Sequence, residues 1–208
     1  LAKLFIGKGS IVQVMESNGS IQPLGHTRGM QNYEGPVMIL VDKLSASASE
    51  ILAGAFQDYK RGLIVGSNTF GKGTVQRVDL LSAGQIKFTE SKFYRVSGSS
   101  TQNKGVSPDI EIPASFDVDE IGESKLDRAL EHDIIPTAYY RNFKRVSPHL
   151  DLLKENSHLR IDNSLFFNSM KTRKEWRKVN DIEFLDLNID ERRQIKENIE
   201  NFVLSEEN

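Results

Sequence analysis

The sequence contains no cysteine among its 208 residues, which excludes thiol nucleophiles, disulfide bonds and thiolate metal ligands. It also has no apolar run that approaches the roughly 18 to 20 residues of a membrane-spanning helix. Basic side chains are not in excess, since 27 Lys and Arg stand against 29 Asp and Glu, and this argues against a nucleic-acid partner. What remains is the composition of an ordinary globular protein, 38% hydrophobic.

The first residues, Leu1 to Ile6, show neither an initiator methionine nor the basic-then-apolar pattern of a signal peptide. An apolar start of this kind is typical of a cut through a larger protein. We therefore expect the chain to be a fragment.

The clearest pattern in the chain is a strand that runs directly into a helix. Val37–Val41 is an almost unbroken apolar run, which predicts a central strand covered on both faces. From Ser49 onward the apolar residues are spaced like one face of a helix. Leu63–Val65 predicts a second buried strand. A strand, a helix and a strand within about 30 residues indicate a parallel crossover and an α/β core.

Other segments of the chain predict two loops and two hairpins. Residues 24–35, with three glycines, predict a loop, and residues 103–113 predict a loop that ends in a short strand. Two pairs of apolar runs predict antiparallel hairpins: Ile11–Met15 with Ser20–Gln22, and Thr74–Leu81 with Gln85–Val96.

The character of the chain changes near Pro113 to Glu123, where it becomes more polar and more helical. We therefore predict a core domain over residues 1–113 and a helical extension over residues 114–208. The best-defined helix of the extension starts at Asn188, with Glu191 placed as in a capping box. Its apolar stripe is Ile195, Ile199, Phe202 and Val203.

Ser47 and Lys72 are the candidates for chemistry. A serine hydroxyl is a poor nucleophile until a base takes its proton. A lysine amine is a base only when neutral, a form that burial favours because desolvation penalises the ammonium ion. Lys72 lies between Gly71 and Gly73, where the backbone can turn tightly, and Gln76 is placed to accept a hydrogen bond from the amine.

The start of the helix offers an oxyanion site. The first N–H groups of a helix have no partner within it, so the N–H of Ala48 is a candidate donor to the charged oxygen of an attacked carbonyl. The residues alone do not choose among Ser45, Ser47 and Ser49, and helix capping is the ordinary role of such serines. Glu50 and Asp58 are interpreted as polar groups near the two ends of the helix.

A long set of motifs resembles the tail-specific, or C-terminal processing, proteases, in particular their large bacterial periplasmic branch. The resemblance covers about residues 35–113, and residues 114–208 resemble the helical C-terminal extension of that branch. The segments that carry it are residues 41–51, 55–59, 65–66, 69–76, 93–95 and 100–110.

The resemblance implies that Ser47 is the nucleophile, Lys72 the general base, Gln76 the residue that orients the lysine, and Ala48 an oxyanion donor. The spacing of 25 residues from Ser47 to Lys72 matches the family. The implied fold is the C-terminal half of a Clp/crotonase-like α/β protease core, followed by a mostly helical extension. The implied activity is periplasmic endoproteolysis of proteins recognised by unstructured, apolar C-terminal tails. An adaptor protein is allowed as a partner, and no cofactor or metal is implied.

Two parts of the family pattern are missing from these residues. The first is a PDZ domain that engages substrate tails, and the second is a glycine-rich Asp-Leu-Arg segment that supplies a second oxyanion donor. We therefore expect the 208 residues to be inactive, or nearly so, when isolated.

Three alternatives compete with this interpretation. Gly66–Lys72 has P-loop spacing, but Gly73 stands where the motif needs Ser or Thr, and a strand rather than a helix is predicted next. A Ser-His site would need one of four histidines without a surrounding motif: His26, His132, His149 and His158. A non-catalytic binding or scaffold module on the same fold is the third alternative.

Overall fold

The computed structural model describes residues 1–114, 121–180 and 187–206. The strands are β1 (Gly9–Glu16), β2 (Ile21–His26), β3 (Met38–Val41), β4 (Leu63–Gly66), β5 (Thr74–Leu81), β6 (Gly84–Tyr94) and β7 (Ile110–Glu111). The helices are α1 (Lys3–Ile6), α2 (Ala48–Asp58), α3 (Leu150–Asp162), α4 (Leu165–Val179) and α5 (Ile189–Glu206). The predicted α/β class with a helical C-terminal region is confirmed.

The predicted parallel crossover is formed by β3, α2 and β4. Met38 to Val41 pair in parallel with Leu63 to Gly66, and β7 continues the sheet on the other side of β4. Because parallel strands end at the same edge of a sheet, the loops that follow β3 and β4 lie side by side. Those two loops carry Ser47 and Lys72.

The prediction that Val37–Val41 forms a central, doubly covered strand is wrong. The order of this sheet is β3-β4-β7, so β4 is central and β3 lies at an edge in the described residues. The side chains of Met38 and Leu40 are exposed, whereas Val41 is buried. An apolar run of this length fits an edge strand equally well, because hydrophobicity alone does not report how many faces are covered.

A second, antiparallel sheet has the order β2-β1-β6-β5. Both predicted hairpins are confirmed: β1 pairs with β2 around Gly19, and β5 pairs with β6. The loop predicted from residue 24 begins later than expected, because β2 continues to His26 opposite Gly9. Lys72 precedes β5 by only two residues, so the edge strand of this sheet begins at the candidate site.

Helix α2 supplies the centre of the core. Ala53, Ala55 and Phe56 are almost completely buried. Ala55 and Phe56 lie on the face that the sequence periodicity predicts, whereas Ala53 lies outside it. Tyr59, at the end of the helix, is buried against Tyr140 and Phe143. This packing fixes the position of the whole helix, and therefore that of its first residues.

The end of α2 is anchored by an ion pair. Asp58 accepts from the guanidinium of Arg95 and from the N–H and hydroxyl of Ser97, and both charged side chains are largely buried. Removing one partner of a buried ion pair typically costs about 3 to 5 kcal/mol. Asp58 is therefore more than the polar helix-end group that the sequence indicated, because it ties α2 to the chain that follows β6.

The chain after residue 121 packs along residues 96–103. Ile135 donates to the carbonyl of Gly98 at 2.9 Å, and Ala138 donates to that of Val96 at 2.9 Å. Residues predicted to belong to the extension thus share main-chain hydrogen bonds with the core.

The chain forms two compact units, Leu1–Arg160 and Ile161–Asn208. In the second unit Trp176 of α4 stacks on Phe202 of α5 at a centroid distance of 4.6 Å.

The predicted boundary at Pro113 adjoins residues 115–120, which lie outside the described residues, and it stays a prediction. The side chain of Val203, the last of the predicted stripe, is likewise outside them. None of the described helices is long and apolar enough to cross a membrane.

Candidate active site

Ser47 occupies the sharp corner at the start of α2. Its φ of 56° and ψ of −112° lie in a region that side chains other than glycine rarely adopt. Such a conformation costs about 1 to 3 kcal/mol and persists only where surrounding contacts impose it. One of these contacts is on the backbone: the N–H of Ser47 donates to Glu50 Oε2 at 2.8 Å.

Glu50 is the organising residue of the site. Its side chain is completely buried and accepts four hydrogen bonds. Oε1 accepts from the Thr69 hydroxyl at 2.5 Å and from the Gly71 N–H at 2.7 Å, while Oε2 accepts from the N–H groups of Ser47 at 2.8 Å and Lys72 at 2.9 Å. One carboxylate therefore holds the loop of Ser47 against the loop of Lys72.

Burial raises the pKa of Glu50, whereas its four hydrogen bonds oppose that rise. The donors thus offset part of the cost of burying a carboxylate. Since the N–H groups of Ser47 and Lys72 donate to the same oxygen, the two backbone nitrogens lie less than about 6 Å apart.

The loop of residues 70–73, here called the base loop, is fixed along its whole length. Each of its backbone N–H and C=O groups has a hydrogen-bond partner, so the loop has little freedom to shift. The partners are Ser45, Glu50, Phe93, Thr101, Gln102, Asn103 and Glu123.

The two glycines of the base loop are required by this packing. Gly71 has a φ of +94°, and a Cβ there would lie 3.0 Å from the carbonyl carbon of Asn103. A Cβ on Gly73 would lie 2.8 Å from the nitrogen of Gln102. The tight turn that the sequence suggested around Lys72 is thus present.

Lys72 and Gln76 meet as expected from their spacing. Lys72 Nζ donates to Gln76 Oε1 at 3.2 Å. The expected enclosure of the amine is wrong for the described residues, where Lys72 is half-buried and Gln76 is exposed. The reason is that only Gly73 separates Lys72 from β5, which is an edge strand of its sheet.

The candidate oxyanion donor is the N–H of Ala48, and the candidate nucleophile is the hydroxyl of Ser47. In the described part of the chain the N–H of Ala48 has no acceptor, which leaves it available to a ligand. No hydrogen bond joins the hydroxyl of Ser47 to the amine of Lys72 in that part. The structure therefore brings Ser47 and Lys72 together through Glu50 rather than through their side-chain tips.

The other serines and the histidines have different surroundings. The hydroxyl of Ser45 is engaged with Asp42, and Ser49 is an exposed residue of α2. His132 contacts the hydroxyl of Ser99 at 3.3 Å. No histidine contacts Ser47 in residues 1–114, 121–180 and 187–206, and the same residues contain no cluster of potential metal ligands.

Sequence reasoning missed the residues that hold the site together. Glu50 was interpreted as a helix-end residue, although its position three residues after Ser47 is the capping-box spacing. Thr69, Gln102 and Glu123 had no comparable signal. Their roles depend on which distant loops meet.

Comparison with known proteins places the chain. The model of peptidase family S41 matches residues 1–112, more than half of the chain. The chain belongs to peptidase family S41. A second model, the C-terminal domain of tail-specific protease, matches residues 116–208. The resemblance inferred from the motifs is thereby confirmed.

Several known proteins are similar to this chain. The tail-specific protease of Haemophilus influenzae is 41% identical over 204 residues, covering 90% of this chain and 29% of the relative. The carboxy-terminal-processing protease of Bartonella bacilliformis is 37% identical over 131 residues, covering 59% of this chain and 30% of the relative. A solved photosystem II D1 C-terminal processing protease has 38% identity and a TM-score of 0.49, covering 53% of this chain and 29% of that one. The chain thus spans less than a third of the length of these relatives.

Proposed function

We propose that this chain carries the catalytic Ser-Lys dyad of a serine endopeptidase that acts on proteins with unstructured, apolar C-terminal tails. The observation that supports it most is the buried Glu50 carboxylate, which binds the backbone of both Ser47 and Lys72. The family of the chain and the names of its relatives agree with a peptidase of this kind.

In the proposed first step, Ser47 Oγ attacks the carbonyl carbon of the scissile peptide bond while the neutral amine of Lys72 takes the hydroxyl proton. The carbonyl oxygen becomes an oxyanion, to which Ala48 N–H donates a hydrogen bond. As the tetrahedral intermediate collapses, the C–N bond breaks and Lys72 returns the proton to the leaving amine. A water molecule, deprotonated by Lys72, then attacks the carbonyl carbon of the acyl-serine ester. The C–Oγ bond breaks, and Lys72 returns the proton to Ser47 Oγ.

Gln76 orients the base in this proposal. Its Oε1 accepts one hydrogen from Lys72 Nζ, which directs the remaining groups of the amine. Since both side chains are partly open to solvent in these residues, the closing of the site around the amine is assigned to the substrate and to segments found in the longer relatives.

Two further proposals concern the whole protein. The resemblance favours a periplasmic protein that acts on protein or peptide substrates without a cofactor. It also assigns tail binding and the second oxyanion donor to segments beyond these 208 residues. The isolated chain is therefore expected to cleave far more slowly than a protein of the length of its relatives.

Tail recognition is tested with two versions of one model protein, which differ only in an apolar or a charged C-terminal tail. A protease that carries this chain at the length of its relatives is expected to cleave the apolar version at least about tenfold faster, because charged side chains bind poorly in apolar sites. The isolated 208 residues and the Ser47→Ala variant are run beside it. Equal cleavage of both tails would contradict tail recognition, and full activity of the isolated chain would contradict its dependence on further segments.

A further inference from the structure

The side chain of Gln102 lies buried between the base loop and Glu123. Its Oε1 accepts from the N–H of Gly73 at 2.8 Å, and its Nε2 donates to Glu123 Oε1 at 3.2 Å. Gln102 is completely buried and Glu123 is 8% exposed. Because an N–H donor faces the amide on one side and a carboxylate on the other, only one orientation of the amide satisfies both.

Glu123 also contacts the other end of the base loop. Its backbone N–H donates to the carbonyl of Phe70 at 3.1 Å. A Cβ on Gly122, just before it, would lie 3.1 Å from the same carbonyl oxygen and 3.2 Å from Cε of Lys43. The amine of Lys43 donates to the carbonyl of Thr69 at 3.2 Å. Glu123 therefore binds both ends of residues 70–73, directly at Phe70 and through Gln102 at Gly73.

Glu123 belongs to the part of the chain matched by the C-terminal domain of tail-specific protease, whereas the base loop belongs to the S41 part. A contact between residues 123 and 70 is thus a contact between the two family regions. Unlike an ordinary packing contact, this one lies on the loop that carries the candidate base.

We propose that Gln102 and Glu123 form a positioning pair for Lys72, by which the C-terminal family region fixes the catalytic base; this proposal rests on the proposed function. Glu123 does not touch substrate. Its carboxylate fixes the amide of Gln102, and the amide oxygen fixes the N–H of Gly73. Since Glu50 binds the N–H groups of Gly71 and Lys72, the backbone is held on both sides of Lys72. Without Glu123, the buried amide of Gln102 loses the acceptor for its Nε2 hydrogens and is no longer held in one orientation.

The pair can be exchanged to separate this role from general stability. Gln102→Glu places two carboxylates against each other, and we expect kcat to fall about 10- to 100-fold with little change in KM, because the base loop shifts. Glu123→Gln keeps an oxygen facing Gln102 and is expected to lose no more than about threefold. In the double variant, Gln at position 123 donates to Glu at position 102, which still accepts from Gly73, so kcat is expected to recover.

The measurements are kcat and KM for wild type, both single variants and the double variant, in a protease that carries this chain at the length of its relatives. Thermal unfolding of each variant, and amide exchange at Gly73, supply readouts that do not depend on catalysis. Recovery of kcat in the double variant, with Gly73 protected again, supports the pair. A double variant as impaired as Gln102→Glu overturns it, and so does a Glu123→Ala variant with wild-type kcat or wild-type exchange at Gly73.

Failure of the pair is distinguishable from failure of the proposed function. Lys72→Ala is measured in the same series. If Lys72→Ala is inactive and the Gln102 and Glu123 variants behave as wild type, only the positioning proposal is overturned. If Lys72→Ala remains active, the dyad itself is overturned, and the positioning of Lys72 falls with it.

Discussion

Replacing Ser47 by alanine is expected to lower kcat by about 10⁴-fold or more, because the variant has no hydroxyl to form the acyl-enzyme. The free energy of unfolding is expected to fall by about 0.5 to 2 kcal/mol, because alanine keeps the backbone N–H that donates to Glu50 but loses the hydroxyl of the capping box. The measurement is cleavage of a tailed model protein, with thermal unfolding as the check on folding.

Two further substitutions, Ser49→Ala and Ser47→Gly, are matched controls for this variant. Ser49→Ala removes an exposed hydroxyl from the same turn, and it is expected to stay within a few-fold of wild type. Ser47→Gly should be as inactive as Ser47→Ala but more stable, because glycine relieves the strain of a φ of 56°. An active Ser47→Ala protein, or an inactive Ser49→Ala protein, would place the nucleophile elsewhere among the three serines.

Replacing Glu50 by glutamine is expected to remove both stability and activity. All four partners of the carboxylate are donors in the structure, so either orientation of the new amide turns its NH₂ group toward two of them. Each buried donor left without an acceptor costs about 1 to 3 kcal/mol. The Thr69 hydroxyl can turn to accept, but it already accepts from the N–H of Val106, so it offers limited relief.

The loss of activity should exceed the loss of stability. Glu50 binds the backbone of Ser47 and of Lys72, and a displacement of about 1 Å between reacting groups can cost about 100-fold in rate. We expect a fall of at least that size in kcat at a temperature where the variant is still folded. Glu16→Gln is the matched control, because it makes the same chemical change at an exposed strand end. A folded Glu50→Gln protein with wild-type kcat would remove Glu50 from the site.

Local patterns in the sequence predicted the elements around the site. The apolar periodicity after Ser49 predicted part of the buried surface of α2, including Ala55 and Phe56, and Ser17–Gly19 predicted the hairpin of β1 and β2. The spacing from Lys72 to Gln76 predicted a side-chain contact that the structure contains. These features depend on residues close together in the sequence, and such residues reveal their geometry through period and turn chemistry.

The parts that could not be predicted depend on residues far apart in the sequence. Glu50 reaches Gly71 and Lys72 because the loops after β3 and β4 meet at one sheet edge. Gln102 reaches Gly73 and Glu123 because the chain after β6 and the chain after residue 121 both meet the base loop. A buried glutamate has the same sequence signature as a helix-end glutamate. For the same reason, the apolar run Val37–Val41 did not reveal that it forms an edge strand.

The central claim is that Lys72 is the base for Ser47, and a pH profile of cleavage tests it most directly. The protein is a protease that carries this chain at the length of its relatives, and the substrate carries an apolar C-terminal tail. Wild type is compared with Lys72→Ala and Lys72→Arg from acidic to alkaline pH, and thermal unfolding confirms that each is folded. The dyad predicts that wild-type kcat/KM rises with pH as an amine loses its proton, and that both variants are inactive throughout, because alanine has no base and arginine stays protonated. A folded Lys72→Ala protein that retains most of the activity would contradict the account and assign the base to another residue.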